Sequence, residues 1–353
     1  MLAACPSCLL ASVTKPAKTL PRVGEFFRFL DPTTETPVVR LTSLRSNNFL
    51  PAPTNRFVSI KDRFLVFSSD RGGKLAPFHV DLHTGIVSQL ARPQKLDPES
   101  LSLNRRRTAL YFLDGDSLQE ITLVSRKSRV LADNVSSFCE LGSASDVNPT
   151  FVVVRQGRLE MAESSSNPLA TEVDNFCLTR PGGRGCVFQK SHISGQREFW
   201  YAPFSGTGEP VLLAKGNVAN PVWTPDGQTL LFLREIRRTD VVTSEIHSVD
   251  PEALVERRVA ATSQFAAFSP NADASVFVGA SRSKAQPTVL LLVASVQREL
   301  TLCEHRASHP AAVAPVFSPD SKRVYFQSDH EGKSALYSVN VEALVESTSG
   351  NDS

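Results

Sequence analysis

The stretch Phe317-Ser-Pro-Asp320, Val324-Tyr-Phe326, Ser328-Asp-His-Glu-Gly332 and Ala335-Leu-Tyr-Ser-Val339 decides the fold. An aromatic residue precedes a tight turn; a β-branched and aromatic run follows, then a second turn and an alternating run. Proline fixes φ at the first corner, aspartate bonds back to the backbone, and glycine accepts positive φ. The pattern predicts strand, turn, strand, turn, strand. Its first half recurs as Trp223-Thr-Pro-Asp-Gly227 and Phe268-Ser-Pro-Asn271, and its second turn as Ser69-Asp-Arg-Gly-Gly73.

Working outward, seven short runs carry the same signature: Phe64–Phe67, Ala109–Phe112, Phe151–Val154, Cys186–Phe188, Leu230–Phe232, Ser275–Phe277 and Val324–Phe326. The markers Phe67, Phe112, Val153, Phe188, Phe232, Phe277 and Phe326 are 45, 41, 35, 44, 45 and 49 residues apart. About 40 to 50 residues hold one four-stranded propeller blade. The expected fold is therefore all-β, a seven-bladed β-propeller of four-stranded antiparallel blades. Pro37-Val-Val-Arg-Leu-Thr42 has no blade of its own before it. It is expected to supply the outer strand of the last blade, beside residues 315–340, because joining the chain ends removes exposed sheet edges. Helical periodicity never persists beyond about two turns; Ala253 to Arg258 and Val341 to Glu346 are the best short helix candidates. Residues 1–22 read as an N-terminal extension, 23–346 as one propeller and 347–353 as a disordered tail.

Composition fits a water-exposed globular chain: of 353 residues, 41% are hydrophobic and 21% charged. A net charge of +2 lacks the field that holds a phosphate backbone, so nucleic acid is not an expected partner. The arginine clusters at 105–107 and 234–238 read as solvated turns. No run of about 18 apolar residues occurs, so no membrane span is expected. Met1-Leu-Ala-Ala-Cys5 resembles the cleavage end of an export signal but lacks a basic start and an apolar stretch, leaving cytoplasm and periplasm both open. A monomer is expected. Of six cysteines, Cys5 and Cys8 have the spacing of a metal or redox pair without a second pair nearby. Cys177 and Cys186 either close a short loop in an oxidising compartment or, the favoured reading, are buried as small hydrophobes.

The segments 223–235 and 317–329 resemble the repeats of TolB-type propellers. From about Val23 onward a closer resemblance runs through Asp31-Pro, Val38-Val-Arg-Leu-Thr42, Phe64 to Asp70, Asp81-Leu-His-Thr-Gly85 and the last blade. In order and spacing these resemble the oligogalacturonate lyases, seven-bladed propellers that cleave short pectin fragments by β-elimination. The resemblance implies removal of the proton at C5 of a uronate, which needs a neutralised carboxylate and a positioned base. It further implies a divalent metal, manganese, held by three histidines and a glutamine near the central channel, with another histidine as base.

Transferred residue by residue, that site is incomplete. The last blade reads His309-Pro-Ala-Ala-Val-Ala314-Pro-Val-Phe317, which puts Ala312 and Ala314 at two histidine positions and His309 near the glutamine position. Asn220, ahead of Trp223, stands at the third. The base falls in the region 189–192, making His192 a displaced catalytic candidate, and Ser46-Asn-Asn48 replaces a His-His-Asn-like stretch. Alanine has no donor atom, so the family's metal site is absent as that family builds it, and a chain without cofactor is expected.

His305 and His309 precede the innermost strand of the last blade and are the candidate metal or substrate ligands. Asn48, Arg45, Arg180, Lys190, Arg197 and Asn220 are the candidate substrate contacts, since guanidinium and ammonium groups bind uronate carboxylates. Asp70 and Asp329, at equivalent repeat positions, read as turn-stabilisers. No phosphate loop, nucleophile elbow or HExxH helix appears. Two functions stay open: a lyase acting on acidic oligosaccharides, or a non-catalytic propeller binding a carbohydrate, peptide or protein partner.

Overall fold

Seven antiparallel sheets follow one another along the chain in the computed structural model, which describes residues 23–344 apart from 143–148, 164–166, 205–207, 239–240 and 263. The blades span residues 48–89, 102–132, 137–171, 177–216, 218–262 and 265–304, here blades 1 to 6, with blade 7 built from 316–340. Every marker residue lies on the second strand of its blade and is buried. The shortest marker spacing, 35 residues, arises because the outer strand of blade 3 is only Ala170–Thr171.

The core lies between blades. One apolar cluster joins blades 7, 1 and 2 through Tyr325, Phe67 and Leu110, and others join 2 to 3, 3 to 4, 4 to 5, 5 to 6 and 6 to 7. The series closes into a ring. A middle strand is thus covered on both faces, so its residues are apolar throughout instead of alternating: Val276–Ser281 and Thr288–Val293 are buried at every position. Gly279 exemplifies the tight fit, since a Cβ there would stand 2.4 Å from the Phe265 ring.

Closure occurs in blade 7. Val38 pairs with Val339 and Arg40 with Tyr337, so Pro37–Arg40 is the strand that joins the chain ends. One correction applies: Phe27–Leu30 pairs onto that strand, so blade 7 has five strands instead of four. A second correction concerns helices. Glu256–Thr262 is the outer strand of blade 5, overriding the helical reading of 253–258, because hydrogen bonding to Val241–Val249 satisfies a backbone that a short helix would leave half unpaired. Residues 342–344 do form a helical turn. The N-terminal extension with Cys5 and Cys8, and the tail 347–353, lie outside the described residues.

Candidate functional site

The innermost strands enclose two successive cavities along the ring axis. The wider, about 440 Å³, is lined by Leu50 to Thr54, Asn220 to Val222 and Ala267 to Ser269, with Gln189, Arg197, Glu99, Ala312, Ala314 and Gln327. The narrower, about 190 Å³, takes over where the chain runs on: Thr54 to Arg56 and Val222 to Trp223 line it, with Arg105, Cys139, Glu140 and Cys177.

The wide cavity gathers four of the positions that the resemblance singles out, Gln189, Asn220, Ala312 and Ala314. Asn220 and Ala314 both hold left-handed backbone, φ 52° and 46°. Asparagine and histidine tolerate that region better than most residues, and alanine does not. Asn220 sits at an irregularity in the register between Ala219 and Val222 and donates through Nδ2 to the Ala266 carbonyl, 3.1 Å. Ala314 ends the 3₁₀ turn Pro310–Val313, whose proline suits its first position. Gln327, which the sequence did not single out, braces this wall: Oε1 accepts from the Leu50 amide and Nε2 donates to the Ala312 carbonyl, both 2.6 Å. Arg197 and Gln189 face the cavity from neighbouring strands of blade 4.

Two of the six expected substrate contacts, Arg197 and Asn220, therefore line this cavity. The other four do not, and each has a physical reason. Lys190 alternates with Gln189 along its strand, so the pleat turns it away, onto the face of Trp200 at 5.5 Å. Arg180 is buried, bonds the Gly227 carbonyl at 2.6 Å and forks onto Glu252, stacking over Trp223; it fastens blade 4 to the turn of blade 5. Asn48 is fully buried, with Nδ2 on the Ser46 carbonyl, 2.8 Å, and Oδ1 accepting from Arg71, 2.9 Å. Arg45 is exposed and outside the cavity wall.

The candidate histidines also lie outside this cavity wall. His305 is fully buried: Nε2 donates to the Ser281 carbonyl and Nδ1 accepts from the Ala307 amide, both 3.0 Å. Both ring nitrogens are engaged within the protein, and burial lowers its pKa below the ordinary range. His309 is exposed at the start of the 3₁₀ turn and does not line the cavity. His192 is exposed at the hairpin tip of blade 4, its Nε2 3.0 Å from Glu198, again outside the cavity wall.

A hard divalent cation prefers carboxylate, carbonyl and imidazole donors. The cavity wall offers one exposed carboxylate, Glu99, no imidazole, and a glutamine whose amide is used at both ends. The residues present do not fit a manganese site of the kind the resemblance implies.

The cysteine expectations also meet the structure here. Cys177 and Cys186 are buried and free, with no disulfide among the described cysteines.

Comparison with known proteins agrees with the fold. No protein-family model matches the chain. An oligogalacturonide lyase of Pectobacterium atrosepticum is 25% identical over 194 residues, 46% of this chain and 49% of that protein. The match thus spans about half the length of the curated relative. An oligogalacturonate lyase solved in complex with manganese superposes with a TM-score of 0.75 at 18% identity, covering 91% of this chain and 97% of that one. Another from Vibrio parahaemolyticus gives 0.73 at 16% identity, over 90% and 97%. The chain resembles oligogalacturonate lyases in sequence and shares their seven-bladed fold.

Proposed function

We propose that this propeller binds short acidic oligosaccharides at the wide end of its axis without the metal-dependent elimination of the lyases it resembles. The observation that carries this reading is the composition of the 440 Å³ cavity, where Arg197, Asn220 and Gln189 accompany alanines at 312 and 314. A guanidinium pairs with a uronate carboxylate through two parallel hydrogen bonds, and side-chain amides match sugar hydroxyls as donors and acceptors. Apolar walls at Leu50, Pro51 and Phe268 suit the less polar faces of sugar rings. Elimination would need a base beside the uronate C5 proton and a cation on its carboxylate, and no histidine lines this wall.

The test is to titrate purified protein with di- and trigalacturonate by calorimetry, and to follow unsaturated product in parallel with manganese added. The expected outcome is heat of binding with no product. Product formation would restore the lyase reading. Absence of binding with both sugars would move the function to a peptide or protein partner.

A further inference from the structure

We infer that Cys139, Cys177 and Cys186 form a binding site for a thiophilic divalent cation of the zinc class at the narrow end of the axis. The three residues come from three strands in two blades: Ser137–Glu140 of blade 3, and Cys177–Thr179 and Gly185–Ser191 of blade 4. Their Sγ atoms converge to within 4.8 Å of one another, and Cys139 and Cys186 are 3.8 Å apart. That is too long for a disulfide, whose sulfurs lie about 2.05 Å apart. It matches what a shared cation requires: with zinc–sulfur bonds of about 2.3 Å, ligand sulfurs stand about 3.8 Å apart in a tetrahedral site and about 4.0 Å apart in a trigonal one.

All three cysteines pack in the apolar cluster between blades 3 and 4, and Cys139 and Cys177 also border the 190 Å³ cavity beside Arg56, Arg105 and Glu140. A fourth coordination position can therefore face the cavity, where a water has room and polar neighbours.

The surrounding charge favours the same occupant. Arg56, Arg105 and Arg107 surround one carboxylate, Glu140, and Arg105 Nε with Arg107 Nε and Nη1 have no hydrogen-bond partner among the described residues. Three thiolates around a divalent cation leave one net negative charge, which offsets part of that excess. Soft thiolates select zinc and its congeners over manganese or magnesium. In binding, three S–H bonds give way to three sulfur–metal bonds, the protons pass to solvent, and no electron changes hands.

The test uses the full chain carrying Cys5→Ser and Cys8→Ser, which removes the other cysteine pair, reduced and titrated with Co²⁺ as a spectroscopic stand-in and then with Zn²⁺. One equivalent of Co²⁺ should produce thiolate-to-cobalt charge transfer, and Zn²⁺ should abolish it. Cys177→Ser should eliminate the band, whereas Cys303→Ser, in a buried cysteine between blades 6 and 7, should leave it intact. Should Cys177→Ser fail to fold, X-ray absorption on the zinc-loaded parent decides: three sulfurs at about 2.3 Å support the site. Absence of a cobalt band in the folded parent, or a zinc shell of nitrogen and oxygen alone, overturns it.

Discussion

The two ends of the axis are built oppositely. At the wide end, a cavity of about 440 Å³ has few ionisable groups, and alanines stand where the resemblance places metal ligands. At the narrow end, about 190 Å³ is crowded by Arg56, Arg105, Glu140, Cys139 and Cys177. Burial holds Glu140 above the ordinary carboxylate range against the pull of those arginines, and pushes Arg107 down to about 10, with Arg56 adding to the shift. Such concentrations of perturbed groups cluster at functional sites, though structural ion pairs produce them too. The difference teaches that the position of chemistry in a propeller follows from the side chains aimed at the axis and not from the ring that aims them.

Four experiments break or sharpen this contrast. The largest effect is expected from Glu140→Ala, which leaves three arginines without their carboxylate and should destabilise the chain by about 3 kcal/mol, the scale for orphaning a buried partner. Glu99→Ala, at the exposed carboxylate of the wide end, should cost no more than about 0.5 kcal/mol. Urea unfolding midpoints of the two variants compare the ends directly, and equal losses would erase the distinction.

Next, His305→Ala should cost about 2 kcal/mol, because the Ser281 carbonyl and the Ala307 amide both lose a buried partner. An unchanged midpoint would return His305 to the list of available ligands.

A smaller effect belongs to the wide end itself. Arg197→Ala should weaken binding of digalacturonate about tenfold, roughly 1.4 kcal/mol, while leaving the unfolding midpoint in place. Calorimetry reads the first and denaturation the second; Lys190→Ala, turned away onto Trp200, serves as the control that should bind as the parent does.

The smallest is a slope with pH. Burial lowers the pKa of His79, His305 and His330, so the unfolded chain binds more protons than the folded one below about pH 6.5. The stability these neutral histidines contribute is present above that pH and is lost as pH falls through it. Asp62 and Glu140, whose pKa values are raised, act in the opposite sense nearer the carboxylate range. The unfolding midpoint should therefore decline between about pH 7.5 and 5.5, and His305→Gln should flatten the decline.

Blade count and blade spacing were legible in the residues because both rest on local chemistry, and the closing strand because sheet edges need cover. Proline and aspartate make the turns of blade 7, apolar runs mark strands covered on both faces, and Val38 finds Val339 because an uncovered edge is costly. The candidate site was legible only in part. Alanine at 312 and 314 could be read as a loss, and Arg197 and Asn220 as contacts. Arg180, Asn48 and His305 could not be separated from them, since a loop residue that fastens two blades has the same sequence signature as one that faces a ligand.

By itself the sequence determined a ring of seven sheets, through turn chemistry and a repeat of about 45 residues that no other arrangement satisfies as simply. Tertiary structure alone decided which side chains share the axis. Gln327 reaches Leu50 across 277 positions, and Cys139 meets Cys186 across 47, because ring closure and blade stacking, not spacing along the chain, set those distances.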